Sequence, residues 1–155
     1  MQYDYTRTAE EFVHLYERTR RLQQPMELIG ESYDGTTHMN HYRLYAGNRY
    51  IDCHASTEKP MIEFGLQRVS EKLPYSERNY THALALCHDL TESNFAAKVH
   101  CYPDYDKGTI YFDVWYQSLV PQLPEDLDYM VECALILADT VVEGVDDLIE
   151  RLKSE

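Results

Sequence analysis

Lys and Arg are missing from a long part of this 155-residue chain. Between Gly108 and Glu150 neither occurs, whereas the same stretch holds ten Asp and Glu residues. The whole chain has 14 basic and 27 acidic residues, which gives a formal net charge of −13 at pH 7. Because this charge repels phosphate backbones and anionic lipid surfaces, we expect neither a nucleic acid nor a membrane as partner.

Long hydrophobic runs are missing as well. No stretch approaches the ~18 consecutive apolar residues that suggest a membrane-spanning helix. The first residues, Met1 to Arg7, also lack the apolar core of a signal peptide. We therefore expect a soluble, cytoplasmic protein.

The residue types that usually bind metals or cofactors occur without the spacing that such sites need. The four cysteines form no Cys-x-x-Cys pair, and the adjacent pairs Cys53-His54 and His100-Cys101 lie on predicted strands, where neighbours point to opposite faces. The segment from Asp104 to Gly108 has Gly where a third calcium ligand should stand. Six scattered glycines allow neither a phosphate loop nor a dinucleotide fingerprint. We predict reduced thiols, no metal, no cofactor and no catalytic residue.

Three helices are predicted from the periodicity of apolar residues. The first covers about residues 9 to 23, and the second begins near Pro74 or Ser76. The third runs from Glu125 to Lys153, either unbroken or with a break near Gly144. The apolar stripe of the second helix is predicted to contain Tyr80, Ala83, Leu84, Cys87 and Leu90.

Strands are predicted where apolar and polar residues alternate between turn signals. Residues 49–55 and 61–69 form either two strands or one bent strand. The segment Met26–Gly30 and a hairpin turn at Asp34-Gly35 precede the predicted strand Thr36–Ala46, which ends at a turn at Gly47-Asn48. Phe95–Tyr102 and Thr109–Val120 are predicted to form a hairpin. The predicted fold is a single α+β domain over residues 1–155: helix, antiparallel meander of three or four strands, helix, two-stranded hairpin and long C-terminal helix.

This order of elements resembles the YbjN-like family of bacterial sensory transduction regulators, which is similar in fold to type III secretion chaperones. Ala83–Leu90 resembles the middle helix of that family, Thr109–Leu119 its last strand and Leu127–Asp139 its closing helix. The resemblance implies an α+β protein that handles other proteins as a homodimer. It implies no catalytic residue.

The last helix divides into three sectors at ~100° per residue. One sector is acidic, from Asp128 and Glu132 to Glu150. A second is the apolar core stripe: Leu127, Val131, Ala134, Ala138, Val141, Val145, Ile149 and Leu152. The third carries no charge over the middle of the helix, so we expect another element, a second subunit or a client segment to cover it. The candidate partner-binding residues are those of the third sector and one strand aromatic: Tyr129, Met130, Cys133, Ile136, Leu137, Thr140 and Trp115.

These patterns favour a non-enzymatic protein-binding module, chaperone-like or regulatory, with apolar helix and sheet surfaces in an acidic surround. One alternative is a small-molecule-binding or enzymatic domain, in which some of the 14 tyrosines line a cleft. A weaker alternative is an acidic inhibitor that mimics a nucleic acid.

Overall fold

The computed structural model describes residues 27–33, 38–46, 49–56, 61–93, 97–119 and 128–154. The helix predicted over residues 9–23 lies outside them. The described elements are β1 (Glu27–Tyr33), β2 (His38–Ala46), β3 (Arg49–Ser56), β4 (Met61–Pro74), α1 (Glu77–Ser93), β5 (Ala97–Asp104), β6 (Thr109–Leu119) and α2 (Asp128–Lys153). Their order confirms the predicted α+β class. Neither α1 nor α2 is long and apolar enough to cross a bilayer.

The strands lie in the order β1-β2-β3-β4-β6-β5. Strands β1 to β4 form the predicted antiparallel meander, in which Ala46 pairs with Arg49 and Cys53 with Phe64. Residues 49–55 and 61–69 therefore belong to two separate strands. Strand β4 extends beyond the predicted end, as far as Pro74.

The contacts divide the chain into two compact units. The described residues up to Gly65, with Tyr116 to Cys133, belong to unit one. Leu66 to Trp115 and Ala134 onward belong to unit two. The core of unit one includes Leu44, Ile51, Cys53, Ile62 and Phe64, and that of unit two includes Leu73, Ile110, Phe112, Ala138 and Val145.

Strand β4 is irregular at Arg68, where φ is 52°. Non-glycine residues rarely adopt a positive φ, because the side chain crowds the backbone. Leu66 and Leu73 are both buried although they are an odd number of residues apart, so the alternation of faces changes phase between them. A left-handed residue is one way in which a strand accommodates an extra residue. Arg68 is the left-handed residue in this interval.

Helix α1 begins after Ser76, whose Oγ accepts a 3.0 Å hydrogen bond from the backbone N–H of Asn79. This N-cap satisfies one of the free donors at the helix start. The helix buries Ala83 and Cys87, as predicted, and packs against β5. The prediction for Leu84 was wrong, because its side chain is 49% exposed. Leu84 lies one position after Ala83, and this step of ~100° turns it away from the core.

Helix α2 continues without a break through Gly144. Val131, Ala134, Ala138, Val141 and Val145 are buried, as the core stripe predicted. Near the end of the helix Leu148 is buried, whereas the predicted Ile149 and Leu152 are only half-buried. A side chain at Gly144 would face helix α1, since a Cβ there would lie 3.4 Å from Cδ1 of Leu86 and 3.6 Å from Cδ1 of Leu90.

We expect Gly144→Ala to stabilise the protein by about 0.5–1 kcal/mol, because alanine favours a helix interior over glycine. The added methyl group would make ordinary contacts with Leu86 and Leu90. Urea unfolding measures the change. The matched variant Gly144→Ile should instead destabilise, since its larger side chain would push both leucines away. Loss of stability in Gly144→Ala would contradict the packing described.

Candidate interaction surface and polar clusters

The candidate residues on α2 differ in exposure. Ile136 is 55% exposed, whereas Cys133, Leu137 and Thr140 are half-buried. The hydroxyl of Thr140 donates a 2.9 Å hydrogen bond to the backbone carbonyl of Ile136, so it is satisfied within the helix. Tyr129 and Met130 lie in the first turn of α2, but their side chains are outside the described residues. We call the three of these residues that belong to unit two, Ile136, Leu137 and Thr140, the α2 strip.

Part of the expected cover over this sector is found within unit two. Leu137, Thr140 and Gly144 follow one another at steps of three and four, so they lie along one side of the helix. At Gly144 that side meets Leu86 and Leu90 of α1. Helix α1 therefore covers the sector near its C-terminal end, as one of the sequence alternatives proposed.

Ile136 lies at the border between the α2 strip and the acidic sector. Asp139 and Glu143 follow it at three and seven residues, on the same side of the helix, and both are exposed. The exposed aliphatic side chain thus has carboxylates beside it. The sequence analysis placed Ile136 in the uncharged sector and did not identify this border position.

Trp115 is on strand β6 and is not part of the α2 strip. Ile110, Phe112 and Val114 are buried on one face of β6, so Trp115 shares the opposite face with Tyr111 and Asp113. Its side chain is half-buried. We therefore treat it as a residue of the sheet face.

A polar cluster surrounds Arg68 on β4. Its Nη1 donates to Oε1 of Glu71 at 3.1 Å and to Oδ2 of Asp104 at 3.0 Å. The guanidinium carbon lies 4.0 Å from the centroid of the Tyr111 ring, a favourable cation–π distance. Lys107 joins the cluster, since its Nζ donates to Oε2 of Glu71 at 2.9 Å. The hydrogen bond from Lys107 and, to a smaller extent, that from Arg68 hold the pKa of Glu71 below its usual value.

Asp113 fixes the irregular backbone at Arg68. Its side chain is buried, and Oδ1 accepts a 2.8 Å hydrogen bond from the backbone N–H of Arg68. Burial raises the pKa of Asp113, and the hydrogen bond and the charge of Arg68 oppose this rise. Sequence analysis did not identify the cluster, because no local pattern predicts that Arg68 and Asp113, which are far apart in sequence, lie together.

A second polar cluster lies in unit one. His41 and His54 are cross-strand partners, and their ring centroids are 4.0 Å apart. Nδ1 of His54 is 3.7 Å from Oε2 of Glu63 on the next strand. Burial, and then the neighbouring His54, lower the pKa of His41, while Asp52 and Glu63 oppose the effect. Proton uptake by this histidine is therefore disfavoured.

On the same sheet face, the nearly buried carboxylate of Asp52 pairs with Arg43. Nε of Arg43 donates to Oδ1 at 2.9 Å, and the guanidinium carbon lies 4.1 Å from the centroid of the Tyr50 ring. Burial of a charge is costly unless it is paired, so this ion pair accounts for an aspartate inside the strand. The Arg43–Asp52 pair therefore has a structural role in the sheet.

The four cysteines are free thiols, as predicted. Cys87 of α1 and Cys101 of β5 hydrogen-bond to each other; this bond, together with burial, raises the pKa of Cys87, and it lowers that of Cys101. Within the described ranges, no group of three or more His, Cys, Asp or Glu residues could hold a metal ion.

No family model and no curated protein matches this chain. Its fold is similar to that in the crystal structure of an uncharacterized protein from Methanothermobacter thermautotrophicus, with 16% sequence identity and a TM-score of 0.44 over 80% of this chain and 88% of that chain. The resemblance to the YbjN-like family stays a prediction.

We expect Asp113→Asn to be more stable than the wild type at neutral pH, because the amide keeps the acceptor for Arg68 without burying a charge. Since the folded-state pKa of Asp113 is raised, the ionised form weakens the fold, and this cost appears as the pH rises through the carboxyl range. The advantage of Asp113→Asn should therefore vanish at about pH 3. Thermal unfolding at several pH values measures it.

Asp113→Ala is the matched control. It leaves the N–H of Arg68 without its acceptor, so it should cost about 1–3 kcal/mol. Equal stability of Asp113→Asn and Asp113→Ala would argue that this hydrogen bond does not hold the strand.

Proposed function

We propose that this chain is a non-enzymatic protein-binding domain, chaperone-like or regulatory, whose contact surface includes the α2 strip. The observation that carries the proposal is the exposure of Ile136. In the described part of the chain it is the most exposed large aliphatic side chain. Its neighbours Leu137 and Thr140 continue the uncharged surface along the helix.

The position of Ile136 on a rigid element supports this proposal. Helix α2 is anchored by a buried stripe on its other side and by the contact of Gly144 with α1. A partner that covers Ile136 would therefore meet a surface already fixed in shape, which lowers the entropic cost of binding.

The two polar clusters support a structural role for the charges of the strands. Arg43, Arg68 and Lys107 each pair with a carboxylate of a strand to which they do not belong. Such pairs satisfy the charges of the sheet. They fit a domain that presents a surface better than one that holds a reactive group ready.

We expect Ile136→Glu to weaken binding of a partner recovered from native cells by at least about tenfold, because it replaces the exposed apolar side chain of the contact with a charge. Leu84→Glu is the matched control, since Leu84 is also an exposed aliphatic residue on a helix. Calorimetry with the purified partner measures both affinities. Equal binding by the two variants would overturn the role of the α2 strip.

The homodimer implied by the family resemblance is a separate prediction. Light scattering should give twice the chain mass of 18.3 kDa. A single-chain mass at every concentration tested would contradict it, without bearing on the α2 strip.

A further inference from the structure

We infer that the partner of the α2 strip is a cationic amphipathic segment, and that a second copy of this chain does not bind there. The inference rests on the proposed function and specifies the chemistry of the partner. It follows from the charges that surround Ile136.

From Ile136 to Glu150 the charged residues of α2 are all acidic. Glu143 and Asp147 follow Ile136 at seven and eleven residues and are exposed. These spacings place them along one side of a helix. Along α2 the first basic residue is Arg151, in the last turn. A partner that covers Ile136 along the helix axis therefore comes close to several carboxylates.

The charge of the partner follows from the cost of covering these carboxylates. A neutral or acidic surface laid over Ile136 would remove water from them without supplying a counter-charge. A segment with an apolar face flanked by Lys or Arg contacts Ile136 and pairs with the carboxylates at the same time. Such complementarity also speeds association and disfavours acidic partners.

A second copy of the chain has the wrong charge for this surface. In a twofold symmetric contact, each copy presents the same patch to the other. Two copies that met through Ile136 would bring the carboxylates of one helix near those of its partner. Like charges in such a contact repel, so the homodimer, which the family resemblance implies, should use another surface.

Three synthetic helical peptides test the inference. They share one leucine face and differ only at the flanking positions, which are Lys, Gln or Glu. We expect the Lys peptide to bind most tightly and the Glu peptide most weakly, with the affinity for the Lys peptide falling as salt is added. Ile136→Ser should lower the affinity for the Lys peptide by about tenfold, because the apolar contact is lost.

Two double variants separate local from overall charge. Glu143→Gln with Asp147→Asn should lower the affinity for the Lys peptide several-fold and leave the affinity for the Gln peptide unchanged. Glu92→Gln with Asp106→Asn makes the same change in net charge on α1 and on the β5–β6 turn, and it should have no effect. Titration by fluorescence anisotropy gives all the affinities.

The outcomes distinguish failure of the inference from failure of the proposed function. Equal, Ile136-dependent binding of the Lys and Gln peptides would overturn the cationic partner and leave the α2 strip as a binding surface. If Ile136→Ser leaves the affinity for the Lys peptide unchanged, the peptide is attracted by net charge alone, and the inference is overturned. Self-association abolished by Ile136→Ser would identify a second copy as the occupant. Binding of no peptide would count against the proposed function itself.

Discussion

The close contact between helices α1 and α2 at Gly144 determines which side of α2 remains open. Leu86 and Leu90 approach Gly144 so closely that a Cβ there would lie 3.4 Å and 3.6 Å from their Cδ1 atoms. The contact directs the side that carries Leu137 and Gly144 towards α1. Ile136, one position before Leu137, is turned by ~100° out of this contact and towards the acidic sector. The same packing thus closes one sector and leaves the next exposed.

The basic residues of the chain are distributed unevenly over the structure. Arg43, Arg68 and Lys107 pair with acidic residues of the strands and turns. Two ion pairs lie in the C-terminal half of helix α2: Lys72 of β4 pairs with Asp146, and Lys153 pairs with Glu150. The chain has about half as many basic as acidic residues, and three of its described cations are used in ion pairs of the strands and turns.

Local patterns in the sequence predicted the elements but not the contacts between distant residues. Periodicity predicted the α2 core stripe, and the turn at Gly47-Asn48 separated β2 from β3. The position of this predicted turn also predicts the histidine pair. His41 and His54 are equally distant from it in sequence, so they become cross-strand partners when Ala46 pairs with Arg49. The exposure of Leu84 was missed because a Leu beside the apolar stripe resembles a member of it. The pairing of Arg68 with Asp113 depends on tertiary structure, which periodicity does not report.

The irregularity of β4 at Arg68 has a consequence for insertions and deletions in this chain. Elsewhere in a strand, loss of one residue reverses the face of every side chain beyond it. Between Leu66 and Leu73 the strand already contains one residue more than regular alternation needs. A relative that lacks the residue at Arg68 would keep both leucines on one face but would lose the backbone donor that Asp113 accepts. It would also turn the buried Ser70 to the opposite face, so such a gap should occur together with changes at Ser70 and Asp113.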